Sequence, residues 1–305
     1  NSVDHDLFSV ASGGVLTFTN APDYETPGCG AGNNANTCTV IIQVSDGSNT
    51  DTITITATVT DANDQTPTYS AGDTTPSIAE GTTAIETDIA ITDTDTGDSN
   101  TCSLGGDDSE DFTCTVSATA YTLAFTSAPD YDVPGSDSGN NDYAVTVTIN
   151  DGAQNGATIS YTVTVTDTND QSPTASVSAT YSQAESSATT FQTYTITDSD
   201  TTGTYTCTLG GDDAADFATS ISSKTCTVTW ASAPDYETPG DTGGNNVYDI
   251  TLAVSDGTNS NTYTTAVTVT DTNDQTPAAT VAATYSIAEN TATVASITVT
   301  DTDTT

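Results

Sequence analysis

The sequence predicts an all-β chain of tandem Greek-key β-sandwiches, each of about 105 residues, and three observations carry that expectation. First, five landmarks return with one period. Ala21-Pro22-Asp23-Tyr24 recurs from Ala128 and Ala233, and Ser45-Asp46-Gly47 recurs from Asn150 and Ser255. Asp61-Ala62-Asn63-Asp64-Gln65-Thr66-Pro67 recurs from Asp167 and Asp271, Ala79-Glu80 from Ala184 and Ala288, and Asp93-Thr94-Asp95-Thr96 from Asp198 and Asp301. Self-similarity at a fixed spacing marks an array of repeats. Second, residues 52–61, 143–151, 159–167, 247–256 and 264–271 alternate Val, Ile or Tyr with Thr, the period-2 pattern of a strand with one buried face. Third, clusters of Gly, Asn, Asp and Pro such as residues 134–142 separate those runs, as turns require, and no segment has a convincing helical period.

Taken in chain order, the first strand falls at residues 6–10, which align with 111–116 and 216–221. About seven short strands then fill each repeat, the count of an immunoglobulin-like sandwich. The landmarks divide the chain into residues 1–64 (the C-terminal part of a repeat), 65–170 and 171–274 (whole repeats), and 275–305 (the N-terminal part of another). Two whole repeats are thus flanked by complementary pieces. The expectation is either a segment of a longer array or pieces that pair between neighbouring molecules. With no signal-type segment before Asn1, the chain reads as a mature or excised stretch.

Charge narrows the functions. The 305 residues hold 42 Asp and Glu against one basic side chain, Lys224, for a net charge of −41. Phosphate backbones would repel such a chain, which excludes nucleic acid as a natural partner, and anionic membrane surfaces are disfavoured for the same reason. No apolar run has the length of a membrane-spanning helix, so direct membrane insertion of this segment is not expected. The acids sit at repeat positions, which a general solubility role does not explain. Six cysteines fall in close pairs, Cys29 with Cys38, Cys102 with Cys114, and Cys207 with Cys226. None has the spacing of a zinc or redox motif. Three local disulfides, each worth roughly 2–3 kcal/mol, are expected, and with them an oxidising, extracellular or cell-surface location.

Together the acidic motifs resemble tandem cadherin repeats, in the cadherin-like form of prokaryotic extracellular surface proteins. The linker motif DxNDxxP is matched at Asp61, Asp167 and Asp271. The family's DRE position is matched by Asp23-Tyr24-Glu25, Asp130-Tyr131-Asp132 and Asp235-Tyr236-Glu237, and its DxD by Asp93/Asp95, Asp198/Asp200 and Asp301/Asp303. Its early-strand glutamate is matched by Glu80, Glu185 and Glu289, and its late-strand aspartate by Asp46, Asp151 and Asp256. The resemblance covers essentially the whole chain and implies calcium, up to three ions per linker. Calcium takes six to eight oxygens in flexible geometry, which carboxylates, amide oxygens and carbonyls provide.

For the first linker the resemblance implies Asp23, Glu25, Asp61, Asn63, Asp64, the Gln65 carbonyl, Asp93, Asp95 and Asp151. For the second it implies Glu80, Asp130, Asp132, Asp167, Asn169, Asp170 and the Gln171 carbonyl, with Asp198, Asp200 and Asp256 from the following repeat. For the third it implies Glu185, Asp235, Glu237, Asp271, Asn273, Asp274 and Gln275, with Asp301 and Asp303. Asp132 departs from the pattern, being shorter than the usual glutamate, and residues 198–205 lack the asparagine the family often places there.

Other features carry less. His5 is the single histidine, which removes a repeated His-based triad or zinc site, and an enzyme is not expected. The recurring Gly-Gly-Asp-Asp at Gly105 and Gly210 reads as an acidic turn. Trp230, aligned with Phe125 and Phe18, reads as core, and Lys224 as a surface-loop residue. Tyr181, Tyr263 and Tyr285 are candidates for exposed carbohydrate contacts, a minor alternative. The expectation is an extracellular calcium-binding structural protein: a stiff fibre of cadherin-like repeats whose linkers calcium rigidifies, with copies of itself or neighbouring repeats as partners. The alternative is the spacer or stalk of a large adhesin whose binding head lies outside this segment.

Overall fold

The structure is a computed structural model that describes residues 4–97, 99–186 and 189–303. It divides into two compact units, Asn1–Thr166 and Asp167–Thr305, each holding one complete sandwich and one partial repeat.

In the first unit, β1 (Phe8–Val10) pairs antiparallel with β2 (Leu16–Phe18), and β3 (Thr37–Ser45) with β4 (Thr50–Thr58). The complete sandwich follows. Its strands are β5 (Thr68–Tyr69), β6 (Ser77–Ala79), β7 (Ala84–Thr92), β8 (Thr101–Gly105), β9 (Phe112–Val116), β10 (Ala120–Phe125), β11 (Asp142–Asn150) and β12 (Ile159–Thr166). One sheet has the order β5-β7-β10-β9, the other β6-β12-β11-β8. Where about seven strands were expected there are eight, because the first strand breaks in two and serves both sheets. Its β5 half pairs with β7, while β6 runs parallel to β12 with Ile78 opposite Val165.

The alternation places the core as expected. Tyr121, Leu123 and Phe125 on β10, Tyr143, Val145, Val147 and Ile149 on β11, and Tyr161, Val163 and Val165 on β12 are all buried, and the intervening threonines face outward. Each fully buried side chain of this size contributes about 1.5–3 kcal/mol. The Tyr121 and Tyr161 hydroxyls lie 2.7 Å apart inside this core, and burial pushes the Tyr121 hydroxyl far above its ordinary pKa.

The second unit repeats the plan with β13 (Thr174–Ala175), β14 (Thr180–Ala184), β15 (Thr190–Thr197), β16 (Thr206–Gly210), β17 (Phe217–Ser222), β18 (Thr225–Trp230), β19 (Val247–Ser255) and β20 (Ser260–Thr270). The sheet orders are β13-β15-β18-β17 and β14-β20-β19-β16. Trp230 is a core residue, its ring 4.1 Å from Phe217 and 4.9 Å from Tyr248. The unit ends with β21 (Ala278–Thr280) pairing β22 (Thr298–Thr300).

No helix was expected, and among the described residues there are three one-turn 3-10 helices, His5–Leu7, Ser109–Asp111 and Ala214–Asp216. All three cysteine pairs are disulfide-bonded. Cys102–Cys114 and Cys207–Cys226 each cross between the two sheets of a sandwich. Cys29–Cys38 instead ties the loop after Gly28 to β3. At the register of Cys38 the complete repeats carry Tyr143 and Tyr248, whose hydroxyls accept the N–H of Gly135 and Gly240 at 2.9 and 3.0 Å. The same loop is therefore held to the same strand by a covalent bond in one repeat and by a hydrogen bond in the other two.

Candidate metal centre

The linker motif takes up the same local fold three times. The N–H of Gln65, Gln171 and Gln275 donates to Asp95, Asp200 and Asp303, at 2.7, 3.0 and 3.1 Å to Oδ2. Each glutamine amide also donates to the preceding aspartate, Asp64, Asp170 or Asp274, at 2.7–3.0 Å. The linker thereby ties back onto the DxD pair of the repeat that follows it. In two repeats the first aspartate of the motif is anchored too: Oδ2 of Asp61 and of Asp167 accepts from the N–H and hydroxyl of Thr96 and Thr201.

Most of these acids divide their two oxygens between different tasks. Asp95 gives Oδ2 to Gln65 and keeps Oδ1 buried with no hydrogen bond. Asp93 and Asp198 give Oδ1 to the N–H two residues on and keep Oδ2. Asp61 and Asp167 give Oδ2 and keep Oδ1. Asp151 caps its turn through Oδ1, accepting from Ala153 and Gln154, as Asp256 does from Thr258 and Asn259, and each keeps a buried Oδ2. Asn63 and Asn169 donate Nδ2 to the carbonyls of Asp151 and Thr202 and leave a buried Oδ1 over. One oxygen builds the loop and the other is left without a donor.

Linker acids also gather, each offering one oxygen to a group. Glu25, Asp64 and Asp95 each place one within 4.8 Å of the others, as do Asp198, Asp200 and Asp256. In the third linker Glu185, Glu237 and Asp271 form one such group, and Glu237, Asp274 and Asp303 a second. Mutual repulsion shows in the acidities. Burial, then Asp61 and Asp64, holds the Glu25 carboxyl above its usual range; burial, then Glu185, Asp271 and Asp303, does the same for Glu237. Burial and the neighbouring aspartates likewise raise Asp303. Asp61 is lowered, by its hydrogen bonds from Thr96.

A buried carboxylate oxygen with no donor is costly unless a cation meets it. A set made only of carboxylate and amide oxygens is hard-cation chemistry, suited to calcium, with no soft ligand present. The residues fit the ion that the sequence implies.

Not every expected ligand joins a cluster. Asp23, Asp130 and Asp235 are exposed and cap their own loops through Oδ1, accepting from Thr26, from Asp132 and Val133, and from Thr238. Asp301 is exposed and caps Asp303. Glu80 accepts from Tyr131 at 2.7 Å, and Glu185, although grouped with Glu237 and Asp271, is buried with both oxygens on backbone, accepting from Tyr236 at 2.6 Å and Thr272 at 2.7 Å. For the second linker, Glu80, Asp130 and Asp132 lie in the first unit and the remaining residues in the second.

One recurring acid was passed over as turn chemistry. Asp108 and Asp213, which close the two Gly-Gly-Asp-Asp motifs, are buried, as is Asp4 at the same place in the first piece. Each bridges two backbone N–H groups: Gly30 and Thr39 for Asp4, Asp137 and Ala144 for Asp108, Thr242 and Asp249 for Asp213, all at 2.6–2.7 Å. The motif's second glycine is needed for this approach. Gly106 and Gly211 have φ of +96° and +97°, and a Cβ there would lie 2.7 and 2.6 Å from a β11 or β19 carbonyl. The spacing Asp-x-x-x-Phe ahead of β1, β9 and β17 was the available signal. Two of the three candidate tyrosines are also not exposed: Tyr181 and Tyr263 pack against the core and accept the N–H of Ser178 and Ala175. Lys224 is half-buried, donating to the Asp198 carbonyl at 3.1 Å with its ammonium 5.0 Å from the Tyr205 ring centre.

Eight-strand sandwiches strung on acidic linkers define the class: the fold is that of tandem cadherin repeats. Among solved structures, protocadherin gammaB7 EC3-6, described as a cis-dimer, is similar over 100% of this chain and 76% of its own, with 20% identity and a TM-score of 0.62. The protocadherin GammaB4 extracellular domain matches over 97% of this chain and 47% of its own (20% identity, TM-score 0.65). Protocadherin Gamma B2 extracellular cadherin domains 1-5 match over 97% and 57% (19% identity, TM-score 0.63). This chain thus spans only about half the length of two of them. No family model and no curated protein matches the sequence.

Proposed function

We propose that this chain is an extracellular, calcium-binding structural protein in which ions clamp the linkers between cadherin-like repeats, so that the array forms a stiff fibre. The repeats are bounded at 1–64, 65–170, 171–274 and 275–305. The observation that carries the reading is the division of labour at the linkers: one carboxylate oxygen ties the loop, and the other is buried without a donor beside others like it. Glu25, Asp61, Asn63, Asp64, Asp93, Asp95 and Asp151 would hold ions at the first linker. Asp167, Asn169, Asp198, Asp200 and Asp256 would do so at the second, and Glu185, Glu237, Asp271, Asp274 and Asp303 at the third. Bound calcium supplies positive charge and coordination that join a linker to the repeat on either side, which couples ion binding to rigidity. The sandwiches, disulfides and acid suit a load-bearing or adhesive surface structure.

The test is calcium titration by calorimetry, followed by electron microscopy with calcium and with excess chelator. Uptake of several ions, with straight fibres that soften or dissociate in chelator, is the expected result. Short rods that only become flexible would favour a spacer between a cell and a separate binding head. No uptake would overturn the reading.

A further inference from the structure

Each complete repeat has a cleft of its own, of about 160 Å³ in the first unit and about 270 Å³ in the second. Every lining residue of one has its counterpart in the other, at the interval that separates Asp111 from Asp216. A buried ring, Phe125 or Trp230, lines each cleft with Pro129 or Pro234 and a buried tyrosine, Tyr143 or Tyr248. None of the residues proposed above to hold ions lines either one.

The polar groups of the lining are only half satisfied. Asp111 and Asp216, which end the 3-10 helices, are half-buried, and among the described residues neither carboxylate accepts a hydrogen bond. Tyr248, 3% exposed, accepts the N–H of Gly240, as Tyr143 does that of Gly135, and neither hydroxyl donates to a described residue. Gly240 leaves the space between these groups open: a Cβ there would lie 3.4 Å from the Tyr248 hydroxyl and 3.7 Å from Oδ1 of Asp216.

Charge selects the occupant. Burial, then Asp213 and Asp241, holds the Asp216 carboxyl above its ordinary range; burial, then Asp108, Glu110 and Asp137, does the same for Asp111. The lining offers carboxylates and hydroxyls but no basic group, so it repels an anion, and a neutral ligand would leave its excess charge uncancelled. The chain's one lysine is engaged elsewhere, at the Asp198 carbonyl and the Tyr205 ring. A bare metal ion asks for oxygens on most sides. Here a ring, an alanine and a proline form part of the wall, which suits the apolar stem of a long cationic side chain, and an aromatic face attracts its charged end.

We infer that these clefts bind an organic cation, an alkylammonium or guanidinium group on an apolar stem, with Asp216 or Asp111 meeting the charge and the ring and proline packing on the stem. A lysine or arginine side chain of a partner protein has both parts, and so does a free polyamine. The inference is independent of the calcium reading, because it uses other residues.

Trp230 is the chain's only tryptophan, so its fluorescence reports the second cleft alone. It is followed in excess calcium, at constant ionic strength, as Nα-acetyl-lysine methylamide, putrescine or n-butanol is added. A saturable change with the cations and none with n-butanol is expected. Binding should weaken at least tenfold in Asp216→Asn, and likewise in Gly240→Ala, whose methyl group takes the space between Tyr248 and Asp216. Gly240 does not have a left-handed φ, and Asp216 accepts the Ala231 N–H through its backbone carbonyl alone, so circular dichroism and calcium uptake of both variants should match the parent. Tighter binding of the blocked lysine than of putrescine would support a partner's basic side chain as the source, and the reverse order a free polyamine. No response, an equal response to n-butanol, or binding that persists in both variants would overturn the inference and leave the linker sites, read by calcium uptake, standing.

Discussion

Two sets of buried carboxylates recur at the same interval in this chain, and their surroundings are opposite. Asp4, Asp108 and Asp213 hold two backbone N–H groups each, one per oxygen, and nothing is left over. Asp93, Asp95, Asp151 and Asp256 satisfy one oxygen and bury the other without a donor. Composition and spacing do not separate these sets, since both are aspartates in Gly- and Asp-rich turns at a common repeat distance. Hydrogen-bond accounting does. The first set is structural bracing that is complete in the chain alone; the second keeps an oxygen free, which the proposed calcium would use.

The comparison breaks most visibly when calcium is removed. Each ion held at a hundred times its dissociation constant stabilises the folded state by about 2.7 kcal/mol. Loss from several linker sites should therefore lower the melting temperature by ten degrees or more, read by calorimetry in calcium and in chelator. A melting temperature that did not move would place the linker acids with the bracing acids.

Single substitutions should separate the sets next. Asp213→Ala strands two buried N–H groups, each worth about 1–3 kcal/mol, so it should cost roughly 2–6 kcal/mol in calcium and in chelator alike. Asp256→Asn keeps an acceptor for Thr258 and Asn259 but removes charge from the Asp198, Asp200 and Asp256 group. It should weaken calcium uptake about tenfold or more while leaving stability in chelator unchanged or slightly raised. Equal effects of the two substitutions in both conditions would erase the distinction.

Acidity offers a smaller, signed version of the same test. Glu25, Glu237 and Asp303 have folded pKa values raised by burial and neighbouring carboxylates, so without calcium they favour folding when protonated. That contribution is present below the unfolded values near 4.5 and 3.8 and is lost as pH rises through the raised ones. For Asp213, burial alone would raise the pKa, but the N–H groups of Thr242 and Asp249 outweigh it and lower it; its stabilisation is present above the unfolded value of 3.8 and is lost as pH falls through the lowered one. In chelator, stability should therefore rise as pH is lowered from 7 toward about 4.5, then fall below 3.8. In calcium the first change should reverse, since protons compete with the ion.

Much of this was legible in the sequence, because a repeat array tests its own pattern. The alternation of Val with Thr in residues 143–151 and 159–167 is the burial pattern of β11 and β12. The DxD and DxNDxxP motifs return in order, and the acid groups that the fold gathers, such as Glu25, Asp64 and Asp95, come from these and the Asp-Tyr-Glu motifs. Whether a given carboxylate has donors was not legible, being a property of tertiary contacts: the N–H groups that occupy Asp108 lie 29 and 36 residues further on. The split first strand was hidden for a related reason, since β5 and β6 are short and each is defined only by the sheet it joins. Tyr181 and Tyr263 were misjudged because a tyrosine on a half-buried strand can turn its ring inward and keep only the hydroxyl near the surface.

The smallest expected effect concerns the loop that carries the linker's glutamate. Tyr143 and Tyr248 hold that loop by one hydrogen bond in the complete repeats, and Cys29–Cys38 holds it covalently in the first piece. Tyr248→Phe removes one acceptor from the Gly240 N–H while preserving the ring packed edge-to-face with Trp230 and Phe217, and should cost about 1 kcal/mol. The loop contributes Glu237 to two of the third linker's acid groups, so calcium affinity there should fall with it, by a few-fold and no more. Reducing Cys29–Cys38 in the same protein should loosen the first loop further than Tyr248→Phe loosens the third, because the first piece has no tyrosine at that register to take over. Hydrogen exchange at Tyr24 and Tyr236 reads both loops in one experiment. Equal protection of the two after these changes would mean that the loops are held by their own turns, through Asp23 and Asp235, and that neither tether matters to the site.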